Sequence, residues 1–259
     1  GHSWAFETFE KNAKEDTRLI KAKTSDNPYL PEGFIDSLLE NYPPQLIQAY
    51  LNGNFTNLTT GAVYSRFDRN KHVKQKFSFD YLHEILKVGI DFNVMNCNAV
   101  IGVQVGDELY IVDEISKQKD TDALAQELKR RYPSNKILIY PDASGSARST
   151  INASKTDIAI LESYGFTSMA LKSNPPIKDR CASVQAMLEN SKGRVRLAIH
   201  ARCRKLIECL ELQSYDERTG DPDKQNGYDH MNDALGYLIY REFNMIYGRA
   251  GARTGIRIY

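Results

Sequence analysis

Three aspartates stand where chemistry would need them and where packing alone does not. Asp233 lies one turn into GYDHMNDALGYLIYREF, residues 227–243. In that stretch Met231, Ala234, Leu235, Leu238 and Ile239 recur at the spacing of a buried helix face. Burying an unpaired charge there is costly, so Asp233 needs a partner. Asp91 closes an apolar run that reads as a strand, and Asp142 follows another such run at once, in Tyr-Pro-Asp-Ala-Ser-Gly. A carboxylate at a strand end is rigidly held yet faces an open edge. If the two runs are neighbouring strands, Asp91 and Asp142 share one edge of the sheet, and the helix bearing Asp233 can cross that sheet to meet them. Three gathered carboxylates repel one another and stay ionised only with cations among them. An all-oxygen shell suits Mg²⁺ or Mn²⁺ rather than zinc. Two such ions about 4 Å apart grip the attacking and leaving oxygens of an in-line displacement at phosphorus. The expected partner of Asp233 is therefore a metal ion.

Each acid taken singly also has a plainer reading: Asp91 and Asp142 as turn formers, Asp229 as a helix cap. The argument rests on the three together. Asp229 is either that cap or an accessory ligand. His230 is either a structural histidine or a contact to metal, water or phosphate. Glu114, on a third strand, is a further accessory candidate; Asp113 and Glu114 alternate faces, so one of them is expected to be merely solvated. A basic counterpart exists in KGRVRLAIHARCRK, residues 192–205, with six Lys or Arg and no acid. Its Lys192, Arg194, Arg196, Arg202 and Arg204 are candidate DNA contacts, with Arg148 in the loop after Asp142, Lys224, and the tail arginines Arg249, Arg253 and Arg257. Such clusters neutralise phosphates and make binding salt-dependent; the alternative is a solvated face.

The elements that must position these groups can be read from periodicity. Residues 87–91, 99–105 and 109–115 are three strands, the last two joined by the tight-turn pair Gly106-Asp107. Turns this short join antiparallel neighbours. A helix is expected over 120–132, capped by Asp or Thr, followed by a compact strand at 136–140. Then come a helix near 154–164, a strand over 167–172, a helix from about 177 to 190 and a short strand at 195–199. Helices over 202–213 and 229–243 end the series. The order predicts an α/β fold: a mixed central β-sheet, an antiparallel meander extended by parallel strands through a right-handed crossover, with helices on both faces. Residues 214–227 are rich in charge and glycine and suit a mobile hairpin or flap over the acids. Residues 4–57 differ in character. They hold four of the nine prolines and read as short helices, one opening at Pro31 and one over 45–51, too small for a core of their own and expected to dock on the larger domain or on something outside this sequence.

The totals narrow the class. The chain has 259 residues and a net charge of +1, so nucleic-acid contact must come from local patches. No run approaches the ~20 apolar residues of a membrane span. Cys97, Cys181, Cys203 and Cys209 form no C-x-x-C pair, and the five histidines are scattered, which argues against a disulfide framework and a zinc site and for a reducing compartment. Gly1-His2-Ser3 reads as an expression scar.

The carriers Val88-Gly-Ile-Asp91, Tyr140-Pro-Asp142-Ala-Ser-Gly and above all Asp229-His230-Met-Asn-Asp233-Ala-Leu-Gly-Tyr237 resemble the RNase H-like metal nucleases. More narrowly, they resemble the C-terminal nuclease domain of the large terminase subunit of tailed double-stranded-DNA bacteriophages. Asn27-Pro-Tyr-Leu-Pro, residues 50–55 and Gly61-Ala-Val-Tyr64 are similar to the segment linking that family's packaging ATPase to its nuclease. The resemblance divides the chain into a linker at 4–60 and a nuclease domain at 61–259. It places Asp91, Asp142 and Asp233 at the family's metal-ligand positions and His230 at a motif histidine. It implies an endonuclease that cuts concatemeric viral DNA at the start and end of packaging. It further implies two Mg²⁺ or Mn²⁺ ions with substrate, double-stranded DNA, the portal protein and the small terminase subunit as partners, and the host cytoplasm as the setting. No G-x-x-x-x-G-K-[ST] is present, so the ATP-driven motor is not assigned to this chain. Two alternatives remain: another RNase H-like nuclease such as a junction resolvase or transposase core, and a non-catalytic module docking on DNA or a capsid partner.

Overall fold

The structure, a computed structural model, describes residues 8–9, 18–42, 47, 51, 61–93, 95–146, 156–216 and 218–243. Arg148, Arg249, Arg253 and Arg257, most of the expected helix at 45–51 and the start of the one expected from 154 lie outside the described residues. In chain order the elements are α1 (Phe34–Asn41), α2 (Arg69–His72), β1 (Val73–Lys74), β2 (Leu86–Asp91), β3 (Cys97–Val105), β4 (Glu108–Gln118), α3 (Thr121–Arg131), β5 (Ile137–Pro141), α4 (Asp157–Ser163), β6 (Thr167–Ser168), α5 (Ile177–Leu188), β7 (Leu197–His200), α6 (Arg204–Leu212) and α7 (Asp229–Phe243).

Seven strands form one sheet in the order β1-β7-β4-β3-β2-β5-β6. β2, β3 and β4 are the expected antiparallel meander, while β5 and β6 extend it in parallel on one side and β7 and β1 on the other. The strand β1 has no sequence signature: two residues, Val73 and Lys74, pair with Ile199 and His200 at the sheet edge. The expected strand at 167–172 shrinks to Thr167–Ser168, since the chain turns away before the Pro175-Pro176 pair that opens α5.

Each face of the sheet buries its own core. Leu86, Val88 and Ile90 of β2 point to the face covered by α3 and α4, against Leu124, Leu128 and Leu161. The opposite face packs α5, α6 and α7 through Val184, Met187, Leu206, Leu210, Leu235 and Leu238. Strand alternation therefore puts Gly89 and Asp91 on the α7 side. Gly89 is where α7 touches down: a Cβ there would lie 2.0 Å from the Ala234 carbonyl oxygen. Only glycine lets the helix backbone approach the strand this closely. Asn232 fixes α7 from the other side, its Nδ2 donating to the Cys209 carbonyl at 2.9 Å and to Gln213 Oε1 at 2.8 Å.

α1 and the residue after it pack against the segment that follows α5. Asn190 Nδ2 donates to the Glu40 carbonyl at 2.9 Å, and Ser191 Oγ to the Tyr42 carbonyl at 2.8 Å. Further along, Val63 and Tyr64 are buried in the α7-side core.

Candidate functional site

β2 and β5 are parallel neighbours, with Ile90 opposite Pro141. Proline has no N–H, so the ladder passes to the next residue: the Asp142 N–H donates to the Ile90 carbonyl at 3.0 Å. Asp91 and Asp142 are thereby held side by side at one sheet edge. The close approach at Gly89 sets Asp233, one residue before Ala234, over the same edge. Asp91, Asp142 and Asp233, with Asp229, His230 and Lys224, line one open cavity of about 540 Å³. The acids do not crowd together. Among the described residues no three His, Cys, Asp or Glu side chains converge tightly enough to enclose an ion.

Within the chain itself, Asp233 has cationic partners that the sequence did not disclose. Its Oδ1 is 3.2 Å from Arg180 Nη2, and its Oδ2 is 3.7 Å from Lys224 Nζ. Arg180 is buried on α5 with its guanidinium 4.2 Å from the Tyr237 ring centre. Burial nevertheless pushes the Asp233 carboxyl up to about 6, against the pull of Arg180 and Lys224 and aided by the charges of Asp91 and Asp229. His230 Nδ1 lies 3.1 Å from Asp91 Oδ2, and that hydrogen bond raises the imidazole above its ordinary value despite partial burial. Asn93 Nδ2 donates to the same Asp91 oxygen at 2.8 Å. Asp142 Oδ1 accepts from Asn174 Nδ2 at 2.6 Å and from the Ser144 N–H at 2.7 Å.

Asp229 is not the hydrogen-bonding cap that its place suggests. It is buried in the first turn of α7, Oδ1 has no hydrogen-bond partner among the described residues, and His230 Nε2 at 3.9 Å and Lys224 Nζ at 4.0 Å are the basic groups beside it. Glu114 lies outside the cavity. Its two oxygens accept the N–H groups of Lys205 and Leu206 at 2.9 and 2.8 Å, tying down the start of α6. Nor is Asp113 merely solvated: it is buried and pairs with Arg131 at 2.8 Å and Tyr132 Oη at 2.7 Å. Both acids of that strand are structural, because each face of β4 is covered.

The basic run does not line the cavity either. Lys192 pairs with Glu40 at 3.1 Å and Asp36 at 3.4 Å, and Arg194 with Asp107 at 2.8 Å. Arg196 is buried and donates to the Glu40 carbonyl at 3.3 Å. Arg202 donates to Tyr81 Oη at 2.9 Å, and Arg204 begins α6 on the surface. Asn98 stands opposite Asp91, and Gln104 opposite Leu109, which pairs with Leu197. The run before β7 thus starts roughly 20 Å along the sheet from the acids, at about 3.3 Å per residue.

The expected flap is a short hairpin. Ala62 bridges to Ser214 and Tyr215 to Pro222, and the Gly220 N–H donates to the Asp216 carbonyl at 2.8 Å. Its outgoing end delivers Lys224 to the acids. Sequence reasoning missed Asn93, Asn174 and Arg180. Only Arg180 left a trace: it stands at helical spacing from Val184 and Met187, the same anomaly of a charge on an apolar face that marked Asp233.

The residues fit hard divalent ions by donor type. Asp91, Asp142 and Asp233 offer carboxylate oxygens from rigid elements, with His230 adjacent, and no soft sulfur ligand lies among them.

Comparison with known proteins bears on the fold and the family. A family model described as the terminase RNaseH-like domain matches residues 88–242, and one described as the T4likevirus-type large terminase N-terminal region matches residues 1–71. No curated protein sequence matches the chain. Among solved structures, the large terminase of a thermophilic bacteriophage in complex with ATP-gamma-S is 19% identical, with a TM-score of 0.66. That match covers 85% of this chain and 55% of the phage chain. Another crystal form of the same phage protein gives 20% identity and a TM-score of 0.65, over 84% of this chain and 53% of that one. The P22 large terminase nuclease domain is 16% identical, with a TM-score of 0.53, over 73% and 94% respectively. At these identities the likeness concerns the fold, and this chain spans about half the length of the thermophilic-phage terminase. The mixed sheet with helices on both faces is the RNase H-like fold of terminase nuclease domains. With one model covering more than half of the sequence, the chain belongs to the terminase RNaseH-like family.

Proposed function

We propose that this chain is a metal-dependent endonuclease that hydrolyses phosphodiester bonds in concatemeric viral double-stranded DNA when genome packaging begins and ends. The observation that carries the reading is the meeting of Asp91, Asp142 and Asp233 from three separate elements at one cavity. Asp91, Asp142 and Asp233 would hold two Mg²⁺ or Mn²⁺ ions. Bound there, such ions supply neutralisation of phosphate charge, an activated water and stabilisation of the departing 3′ oxygen. The chain's own part is orientation. β2 and β5 fix two carboxylates, and α7 fixes the third through its contact at Gly89. His230 stands beside Asp91 through Nδ1, and its other ring nitrogen could meet a phosphate oxygen. Arg180 offsets part of the negative charge that the acids accumulate. No base-reading element enters the cavity among the described residues, so contacts to backbone phosphates would position the duplex with little sequence preference. The portal protein and the small terminase subunit are the expected partners, in the host cytoplasm.

The test is supercoiled plasmid incubated with Mn²⁺, with Mg²⁺ and with EDTA. Cleavage should need the metal and disappear in Asp91→Asn and Asp142→Asn. DNA binding without cutting under either metal would overturn the reading in favour of a docking module.

A further inference from the structure

The three aspartates are engaged in the same lopsided way. On Asp91, Oδ2 takes Asn93 and His230. On Asp142, Oδ1 takes Asn174 and the Ser144 N–H. On Asp233, Oδ1 takes Arg180. In each case the fixed donors gather on one oxygen. Among the described residues no donor reaches Asp91 Oδ1 or Asp142 Oδ2. Asp233 Oδ2 meets only Lys224, at 3.7 Å, from a side chain 54% exposed.

Two of these clamps come from one segment, the loop before α5 and that helix's first turn. Asn174 is pinned at both ends. Its Oδ1 accepts the Ala143 N–H at 2.8 Å while its Nδ2 donates to Asp142, which leaves one orientation of the amide consistent with both bonds. Six residues on, the Arg180 guanidinium lies against the Tyr237 ring and its aliphatic stem runs past Gly236 of α7, the side chain only 5% exposed. Its Nε and Nη1 are buried with no hydrogen-bond partner among the described residues. A buried cation retained at that cost is poorly explained by packing alone.

We infer that Asn174 and Arg180 are positioning residues of this site, each fixing one carboxylate oxygen so that the other, Oδ2 of Asp142 and Oδ2 of Asp233, faces a divalent cation. This rests on the cavity being a divalent-cation site. A carboxylate clamped on one oxygen no longer rotates freely, so an incoming ion meets it already ordered. Because both clamps sit on one short segment, the separation of two of the three acids is set by a single element.

The test is calorimetric titration of Mn²⁺ into the full chain without DNA. Asn174→Ala should weaken Mn²⁺ binding by about 10–100-fold, the usual effect of losing a partner behind a metal ligand. Arg180→Lys, which keeps the charge and loses the planar stack on Tyr237, should weaken it as well. Melting curves must match the wild type, and Asn174→Ser serves where Asn174→Ala does not fold. In cleavage assays excess Mn²⁺ should restore the rate, a recovery that a damaged fold would not give. Mn²⁺ affinities within about twofold of wild type in the folded variants overturn the inference while leaving the nuclease reading intact. Wild-type protein that binds Mn²⁺ and leaves DNA uncut overturns the nuclease reading and leaves the inference standing. Wild-type protein that binds no Mn²⁺ overturns both.

Discussion

Asp233 should be a liability to the fold and an asset to the site, and Asp233→Asn separates the two. Burial raises this carboxyl from its ordinary 3.8 to about 6 even though Arg180 and Lys224 draw it down. An acid with a higher pKa in the folded state holds its proton more tightly there. The folded state is therefore penalised once pH exceeds about 6, and the penalty fades as pH falls from there to about 4. Two pKa units at about 1.4 kcal/mol each put the penalty near 3 kcal/mol at about pH 8 without metal. Asparagine imitates the protonated form at every pH. The variant should thus be more stable than wild type in EDTA at high pH, by up to ~3 kcal/mol. In a domain of this size that is a rise of about 6–12 °C in Tm, and the difference should vanish below about pH 4. Mn²⁺ should close the gap. An ion at about 100 times its Kd adds about 3 kcal/mol to a protein that binds it, and the variant forgoes that gain. The assay is thermal unfolding in four conditions, EDTA or Mn²⁺ at high and low pH. A variant no more stable than wild type in EDTA at high pH would refute the assignment of the penalty to burial. Equal stabilisation of both proteins by Mn²⁺ would refute the role of Asp233 as a ligand.

Three further outcomes are expected. Gly89→Ala, forced against the Ala234 carbonyl at 2.0 Å, should cost about 1–3 kcal/mol in urea unfolding. It should also weaken Mn²⁺ binding by lifting α7 off β2, and unchanged values for both would contradict the role given to that contact. Glu114→Gln should cost about 1 kcal/mol, since it weakens the cap on α6, and should leave the Mn²⁺ titration unaltered; a loss of metal affinity would restore Glu114 to the site. Arg194→Ala should leave DNA affinity and its salt dependence unchanged in fluorescence anisotropy, because this side chain is spent on Asp107. A salt slope lower by about one unit would instead mark a phosphate contact.

The fold was legible wherever one periodicity dominated. The meander, the crossover and α7 follow from alternation in 86–118 and from a helical stripe in 229–243, and glycine and proline marked their ends. Strands of two residues were not legible, because Val73–Lys74 and Thr167–Ser168 are too short to have a period. At the site, the acids could be found because strand ends and a charge on an apolar face are visible in one dimension. Their partners could not. Asn174 and Arg180 act across the fold, and nothing local distinguishes an asparagine that clamps a carboxylate from one that turns a loop. The surroundings of the basic run were hidden for the same reason. Six positive charges in fourteen positions look like a surface for phosphates, but the groups that engage three of them lie in α1 and in the β3–β4 turn. Glu114 was misread because its partners are backbone N–H groups, which leave no mark in the side-chain sequence.

The place of β2 has one more implication. It lies fifth of seven strands, paired along both sides and covered on both faces, so its amides should be among the last in the molecule to exchange with solvent. Asp91 is mounted on the most durable part of the architecture, whereas Lys224 hangs from a peripheral hairpin. On warming, the hairpin can open well before the acidic platform loses its shape. The cavity's outer rim would then be free to move against an unyielding base.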